Sequence, residues 1–236
     1  MNQSPSFNLE RVTFYGRSLA EYERMFLLDF SERTGQSILD CPSGPASFSR
    51  QGRELGLRVR AVDPQFSRTP EELLAIATRD IDYVLSKIAE TAHERKWDYY
   101  ESLESLKKRQ SEILHSFIED YKADWPARTN YITASLPHLP FANNSFDLAL
   151  SGHFLFSFHA HFPTTAIADS LLELARVARE VRVFPLRTNE QNRNMPFVDL
   201  EKITATLHQN GLIVRIEPSE FEFQIGANEV LIMEQS

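Results

Sequence analysis

Residues 37–48, reading Ser-Ile-Leu-Asp-Cys-Pro-Ser-Gly-Pro-Ala-Ser-Phe, constrain the fold more than any other stretch of the chain. A short apolar run ends in an acid, Asp40, and turns through Cys41, Pro42, Ser43 and Gly44 towards a helix that starts near Phe48. In an open α/β sheet, a strand that stops at a carboxylate and passes through a tight loop of small residues builds one wall of a pocket at the carboxyl edge. The stretch therefore reads as a nucleotide-type cofactor loop.

The flanking elements fit that reading. Ser18 followed by Glu21 forms a capping box that opens a helix, with Leu19, Tyr22 and Phe26 on one face. Tyr15, Gly16 and Arg17 precede this helix, either covering the pocket mouth or serving only as a turn and cap. After the loop, a short helix over 48–54 leads to a strand over 55–64, where Leu57, Val59 and Ala61 alternate with arginines. Asp63 closes that strand about 20 residues beyond the loop, the spacing at which an acid in a βαβ unit meets ribose hydroxyls. A carboxylate suits the task because it accepts two hydrogen bonds at once.

Between the second and third strands the pattern becomes helical. Thr69-Pro70-Glu71-Glu72 combines a threonine cap, proline at the first helical position and glutamate at the third. Apolar residues then recur at helical spacing through Ile88 and again from Leu103 to Tyr121. The span 66–128 is expected to be a helical insertion within a single domain covering 1–236, acting as a lid or as a homodimer contact. Trp97, Tyr99, Tyr100 and Trp125 read as the core of that cap, or as the lining of an acceptor site beneath it.

The α/β pattern resumes with strands expected over 130–136 and 146–150, the latter ending at Ser151-Gly152-His153 on the same edge of the sheet. A helix over 163–178, a strand over 181–186 and a helix over 199–210 follow. Strands over 212–217 and 228–233 close the chain, with Phe221 and Phe223 expected to extend one of them. The fold class is α/β, with a Rossmann-like, mostly parallel seven-stranded sheet and the helical insertion after the second strand.

Composition excludes several classes of function. A net charge of -8 lacks the basic surplus that phosphate-backbone binding needs, so nucleic acid is not an expected partner. No apolar run approaches the roughly 20 residues of a membrane span. The polar amino terminus lacks the layout of a secretory signal, and a cytoplasmic location is expected. One cysteine, Cys41, rules out an intramolecular disulfide and a cysteine-based zinc site. His153, His159 and His161 cluster, but the next carboxylate is Asp169, so no metal is assigned. Phe154, Phe156 and Phe158 read instead as an apolar wall.

Taken in order, residues 38–46, Val62-Asp63, Leu139-Pro140-Phe141 with Ser145-Phe146-Asp147-Leu148, and Ser151-Gly152-His153 together resemble the class I S-adenosylmethionine-dependent methyltransferases. The resemblance covers most of the chain outside the insertion and implies an antiparallel last strand. It implies S-adenosylmethionine as cofactor. Asp40, Cys41, Pro42, Ser43 and Gly44 would surround its methionine part, and Arg17 would meet its carboxylate. Asp63 would hold the ribose, Ser135 and Leu136 the adenine, and Ser151 and Gly152 the wall beside the methyl group. His153 is the candidate general base for a small-molecule acceptor, or else a loop histidine satisfied by backbone. Where the family has three glycines, this loop has Pro42, Gly44 and Ala46. That departure leaves a second reading, a binding or regulatory module without turnover. A nucleotide-dependent oxidoreductase is a third, and the lost glycines tell more heavily against it.

Overall fold

The computed structural model describes residues 9–186 and 200–235. Among these, seven strands form one sheet in the order β3-β2-β1-β4-β5-β7-β6. The strands are β1 (Ser37–Asp40), β2 (Arg58–Val62), β3 (Tyr131–Ile132), β4 (Phe146–Gly152), β5 (Ala178–Phe184), β6 (Leu212–Pro218) and β7 (Glu229–Gln235). All neighbouring pairs from β3 to β5 are parallel, and β7 runs antiparallel to both β5 and β6. This is the Rossmann-like, mostly parallel seven-stranded α/β sheet with an antiparallel last strand expected from the sequence. The strand order reverses at β1, where chain connections leave towards β2 on one side and β4 on the other, and this opens a crevice at the carboxyl ends.

Six α-helices accompany the sheet among the described residues: α1 (Leu19–Phe26), α2 (Phe48–Glu54), α3 (Pro70–Glu90), α4 (Leu103–Asp124), α5 (Thr164–Val177) and α6 (Leu200–Gln209). Two apolar clusters fill the two faces of the sheet. Both expected capping boxes are present, at Ser18/Glu21 and Thr69/Glu72. Each cap contributes about 1 kcal/mol, whereas burying a large apolar side chain contributes about 1.5–3 kcal/mol. Tyr22, Met25 and Phe26, all buried, therefore decide where α1 docks, and the cap decides where it starts.

The insertion packs on its own chain. The stripe Leu73, Ala77, Ile81, Val84, Leu85 and Ile88 joins Phe117, Ile118 and Tyr121 of α4 in the cluster that also holds α1 and α2. Arg53 of α2 pairs with Asp120 of α4, and Tyr131 of β3 donates its hydroxyl to the same carboxylate. These stripes are covered within the chain, so no second subunit is needed to bury them.

Several elements differ from expectation. The third strand is two residues long, because β3 lies at the sheet edge and the chain turns where His138 N–H donates to the Ser135 carbonyl. β5 starts at Ala178, immediately where α5 ends, and stops before Pro185, which has no N–H to continue a ladder. Phe221 and Phe223 extend neither last strand. They sit in the β6–β7 connection, with Phe223 against Trp97 and Tyr100, and Phe221 against Tyr99 and Tyr100. Trp125 is separate from this group and packs on Tyr121. The expected helix start at Asp199 lies outside the described residues.

The Leu139-Pro140-Phe141 to Asp147 phrase works as architecture. Phe141 stacks edge-on against Phe146, and Leu139 N–H donates to Glu173. Asp147 accepts from the backbone and hydroxyl of Ser37, both at 2.8 Å, tying the start of β4 to the start of β1. Its pKa is lowered by those two bonds.

Candidate functional site

A cavity of about 650 Å³ opens at the carboxyl edge of β1, β2 and β4, within the size range of small-molecule sites. The edge contributes Cys41 to Gly44, Asp63, Ala134 to Leu136 and Gly152 to Phe154. The segment preceding α1, including Tyr15 and Arg17, forms the wall facing the loop, and α3 contributes Ile76, Val84 and Ile88.

The loop and this segment fit one another closely. Gly44 has φ of +57°, and a Cβ there would stand 3.2 Å from the Tyr15 carbonyl oxygen. Gly16 is tighter still, since a Cβ would lie 2.1 Å from the Pro45 oxygen. Ser47 N–H donates to the Arg17 carbonyl and completes the seam.

The loop's amides are consumed inside the protein. Cys41 N–H donates to Leu150 O and Ser43 N–H to Val62 O, each at 2.9 Å. Gly44 N–H donates to Asp63 Oδ2 at 3.0 Å. Pro42 and Pro45 have no N–H to offer. The loop is thus fixed by its neighbours and presents no row of donors to a pyrophosphate.

Asp63 links the ends of β1 and β2. Its Oδ1 accepts from Gln65 N–H at 2.9 Å while Oδ2 takes the Gly44 amide. Burial pushes its pKa up to about 6, and the two backbone donors work against that rise. Each carboxylate oxygen has a further lone pair beyond the one these bonds use.

Arg17 enters the cavity from the opposite side. Its guanidinium lies over the Tyr15 ring, 4.7 Å from the centroid. Its Nε stands 3.5 Å from Glu21 Oε1, an ion-pair distance, yet has no hydrogen-bond acceptor among the described residues. Burial opposes the charge, and Tyr100, Glu21 and Tyr15 more than offset it, so the pKa is raised. Glu21 is itself held by Ser18 and by the Tyr100 hydroxyl.

His153 closes the third side with φ of +52°. Its N–H donates to Phe184 O, and its ring packs edge-on against Phe184. The buried Nε2 has no partner among the described residues. Burial, reinforced by the positive charge of Arg17, pushes the imidazole pKa well below its ordinary value, so the ring is neutral at pH 7.

Of the sequence candidates, Arg17, Cys41, Pro42, Ser43, Gly44, Asp63, Ser135, Leu136, Gly152 and His153 line this one cavity. Asp40 and Ser151 do not. Asp40 is fully buried behind the loop, where both its oxygens accept from the Tyr22 hydroxyl at 2.9 and 3.0 Å. Burial raises its pKa to about 7. Ser151 points into the interior and its Oγ has no partner among the described residues. Cys41 is buried with its thiol pKa pushed up by desolvation, so it is no nucleophile.

Phe154 and Phe158 line the cavity as expected, but Phe156 faces the core on the other side of the sheet. Phe162 joins the wall. Among the described residues no three His, Cys, Asp or Glu side chains gather as a metal site, and no helix is long and apolar enough to cross a membrane. Of the aromatics expected as cap core or as site lining, Tyr100 lines the cavity, while Arg95 and Phe223 are wall residues that sequence reading missed. Arg95 carried no motif, because only the packing of the β6–β7 connection on the insertion brings it to the cavity.

No protein-family model matches the chain. An uncharacterized protein of Methanocaldococcus jannaschii is 29% identical over 227 residues, which are 96% of this chain and 97% of that one. Among solved structures, the chain is similar to the 1,6-didemethyltoxoflavin-N1-methyltransferase of Burkholderia thailandensis, at 14% identity and a TM-score of 0.48 over 92% of this chain and 79% of that one. It is similar to the magnesium protoporphyrin IX methyltransferase of Synechocystis, solved with bound S-adenosylmethionine, at 14% identity and a TM-score of 0.45 over 86% and 71% of the two chains. A SAM-dependent methyltransferase from Aquifex aeolicus matches at 16% identity and a TM-score of 0.42 over 91% and 93%. These are likenesses of fold.

Proposed function

We propose that the protein is an S-adenosylmethionine-dependent methyltransferase acting on a small molecule. The observation that carries this reading is the loop at 41–45, whose amides are bonded internally or replaced by proline, beside a carboxylate and a buried guanidinium on one cavity. A dinucleotide needs free loop amides for its pyrophosphate. S-adenosylmethionine has no phosphate and instead asks for an acceptor at its ribose and a cation at its carboxylate.

The residues present fit that group. Asp63 offers lone pairs to vicinal hydroxyls, and Arg17 offers an Nε–H that no described side chain or carbonyl accepts. Ala134 and Leu136 supply apolar contact for a base. When bound, the cofactor supplies an electrophilic methyl group on a positively charged sulfur.

The chain's own part is alignment and proton acceptance. Cys41 to Gly44 and the segment at 15–17 fix the wall on which the methyl donor would rest, so that much of the rate comes from holding the acceptor in line at near-attack distance. His153, neutral and unpartnered at Nε2, takes the proton that an O–H or N–H acceptor loses as its new bond to carbon forms. Ile76, Val84 and Ile88 of α3 keep water from the same cavity, the lid role assigned here to the insertion.

Thermal denaturation with added ligands tests the reading. S-adenosylhomocysteine at about 100 times its Kd is expected to add about 2.7 kcal/mol of stability, which raises Tm by several degrees, while NAD leaves Tm unchanged. A rise with NAD and none with S-adenosylhomocysteine would contradict it.

A further inference from the structure

Two aspartates line the cavity, and the proposed function gives a task to Asp63 alone. Asp80 stands on α3 between Ile76 and Val84, four residues from each, on the face that forms the cavity wall. It is 2% exposed. A buried carboxylate in an apolar stripe costs several kcal/mol unless its oxygens are bonded, and here both are. Oδ2 accepts from the Phe14 N–H at 2.9 Å and Oδ1 from Arg11 Nη2 at 2.8 Å. Arg79, its exposed neighbour on α3, stands 3.6 Å from the same Oδ1. Among the described residues, every hydrogen bond to this carboxylate comes from the segment ahead of α1.

Outside these bonds that segment is held by side chains. Among the described residues, no backbone–backbone hydrogen bond involves residues 9–15. Glu10 N–H meets the Tyr83 hydroxyl at 3.4 Å, and the Arg11 guanidinium lies over the Tyr83 ring, 5.2 Å from its centroid. Leu9 and Phe14 are buried, with Phe14 edge-on to Phe66 and Phe117. From Gly16 onward the chain is locked in the seam with the loop. Residues 11–15 line the cavity between α3 and that loop. A wall without ladder bonds, flanked by a locked seam, opens at lower cost than the sheet edge opposite it.

We propose that residues 9–15 are a gate on the cavity, latched to α3 by Asp80 through the Phe14 amide and Arg11, and that ligands enter and leave when this latch releases. Taking S-adenosylhomocysteine as the ligand rests on the S-adenosylmethionine reading above. The latch bonds lie within the chain and are the same with the cavity empty or filled. Weakening them therefore favours the open state of free and loaded protein alike, so association and dissociation both speed up while Kd stays constant.

The test compares the full chain with Arg11→Gln and Asp80→Asn. The asparagine keeps an acceptor for the Phe14 amide and loses the charge. Hydrogen exchange on the ligand-free protein is expected to quicken at the Phe14 amide by about threefold or more in Arg11→Gln and about tenfold or more in Asp80→Asn. Exchange at the Ser47 amide, which lies in the seam, is expected to stay unchanged. In stopped-flow binding of S-adenosylhomocysteine, kon and koff should rise by the same factor in each variant, leaving Kd within about twofold. Unchanged exchange at Phe14, equal acceleration at Ser47, or binding rates that stay constant while Phe14 exchange rises would overturn the proposal. So would a change in koff alone, which marks a lost ligand contact. If S-adenosylhomocysteine does not bind at all, the cofactor reading fails, and the exchange measurement still decides whether Asp80 is the latch.

Discussion

Asp63 holds its own loop and, in the proposed function, the cofactor's ribose, and its pKa makes the two roles separable. Its carboxylate holds the Gly44 and Gln65 amides in the folded chain, and it is the acceptor assigned to the ribose. With a pKa of about 6, it is ionised at pH 7.5 and becomes protonated as the pH falls. Affinity for S-adenosylhomocysteine, followed by calorimetry, is expected to be flat from pH 9 to 7. Below pH 6 it should weaken, approaching about tenfold per pH unit. Asp63→Asn should bind more weakly at pH 7.5 and lose the pH dependence, since an amide does not titrate in this range. Asp40 behaves differently because it never reaches the cavity. Its pKa is raised to about 7 from an ordinary 3.8, so its contribution to stability is present below about pH 4 and is lost as the pH rises through 7. The Tyr22 hydroxyl limits that loss by donating to the ionised form. Tyr22→Phe is therefore expected to cost about 1.5–3 kcal/mol at pH 8 and about 0.5–1.5 kcal/mol at pH 5, measured by urea denaturation at the two pH values. At His153 the expected effect is on turnover: His153→Gln should lower kcat by about 100-fold or more and leave S-adenosylhomocysteine affinity within about twofold, because the side chain meets the acceptor's proton and none of the cofactor's polar groups. Equal losses in both quantities would place His153 in cofactor binding instead.

At the scale of elements, the loop at 41–46 and the segment at 15–17 form a single unit. The Pro45 oxygen occupies the space a side chain at position 16 would need, so Gly16→Ala must push the two apart. It is expected to lower stability by about 1–3 kcal/mol and to weaken S-adenosylhomocysteine binding with it, both read from one thermal titration. Unchanged binding in a folded Gly16→Ala protein would show that the seam does not shape the site. The sequence made β1, β2, β4 and the two capping boxes legible because their signals are local: alternation or a continuous apolar run, then an acid, a proline or a cap at fixed spacing. The Leu139-Pro140-Phe141 to Asp147 phrase was legible as a resemblance, while its work, holding β4 to β1 through Ser37, needed the register of the sheet. Phe221 and Phe223 alternate as a strand would, yet their rings are taken by Trp97, Tyr99 and Tyr100 from the insertion. A period-two pattern cannot distinguish a sheet face from a loop that packs two aromatics on a neighbour.

Over the whole molecule, the site is where three parts of the chain converge: the carboxyl edge of the sheet, the segment ahead of α1, and the insertion with the β6–β7 connection beneath it. The first was readable from strand ends alone. Asp40 and Ser151 were assigned to it by position in the chain, and the fold turns both inward, because each falls on a strand face opposite the crevice or behind its loop. Arg95 and Phe223 could not be read at all, being 128 residues apart in the sequence and joined only by tertiary packing. A crystal structure of the protein with S-adenosylhomocysteine tests the proposed site most directly. The ribose hydroxyls are predicted within hydrogen-bond distance of the Asp63 carboxylate and the ligand carboxylate on Arg17. A ligand bound elsewhere, or in the cavity with its ribose away from Asp63, would contradict the account.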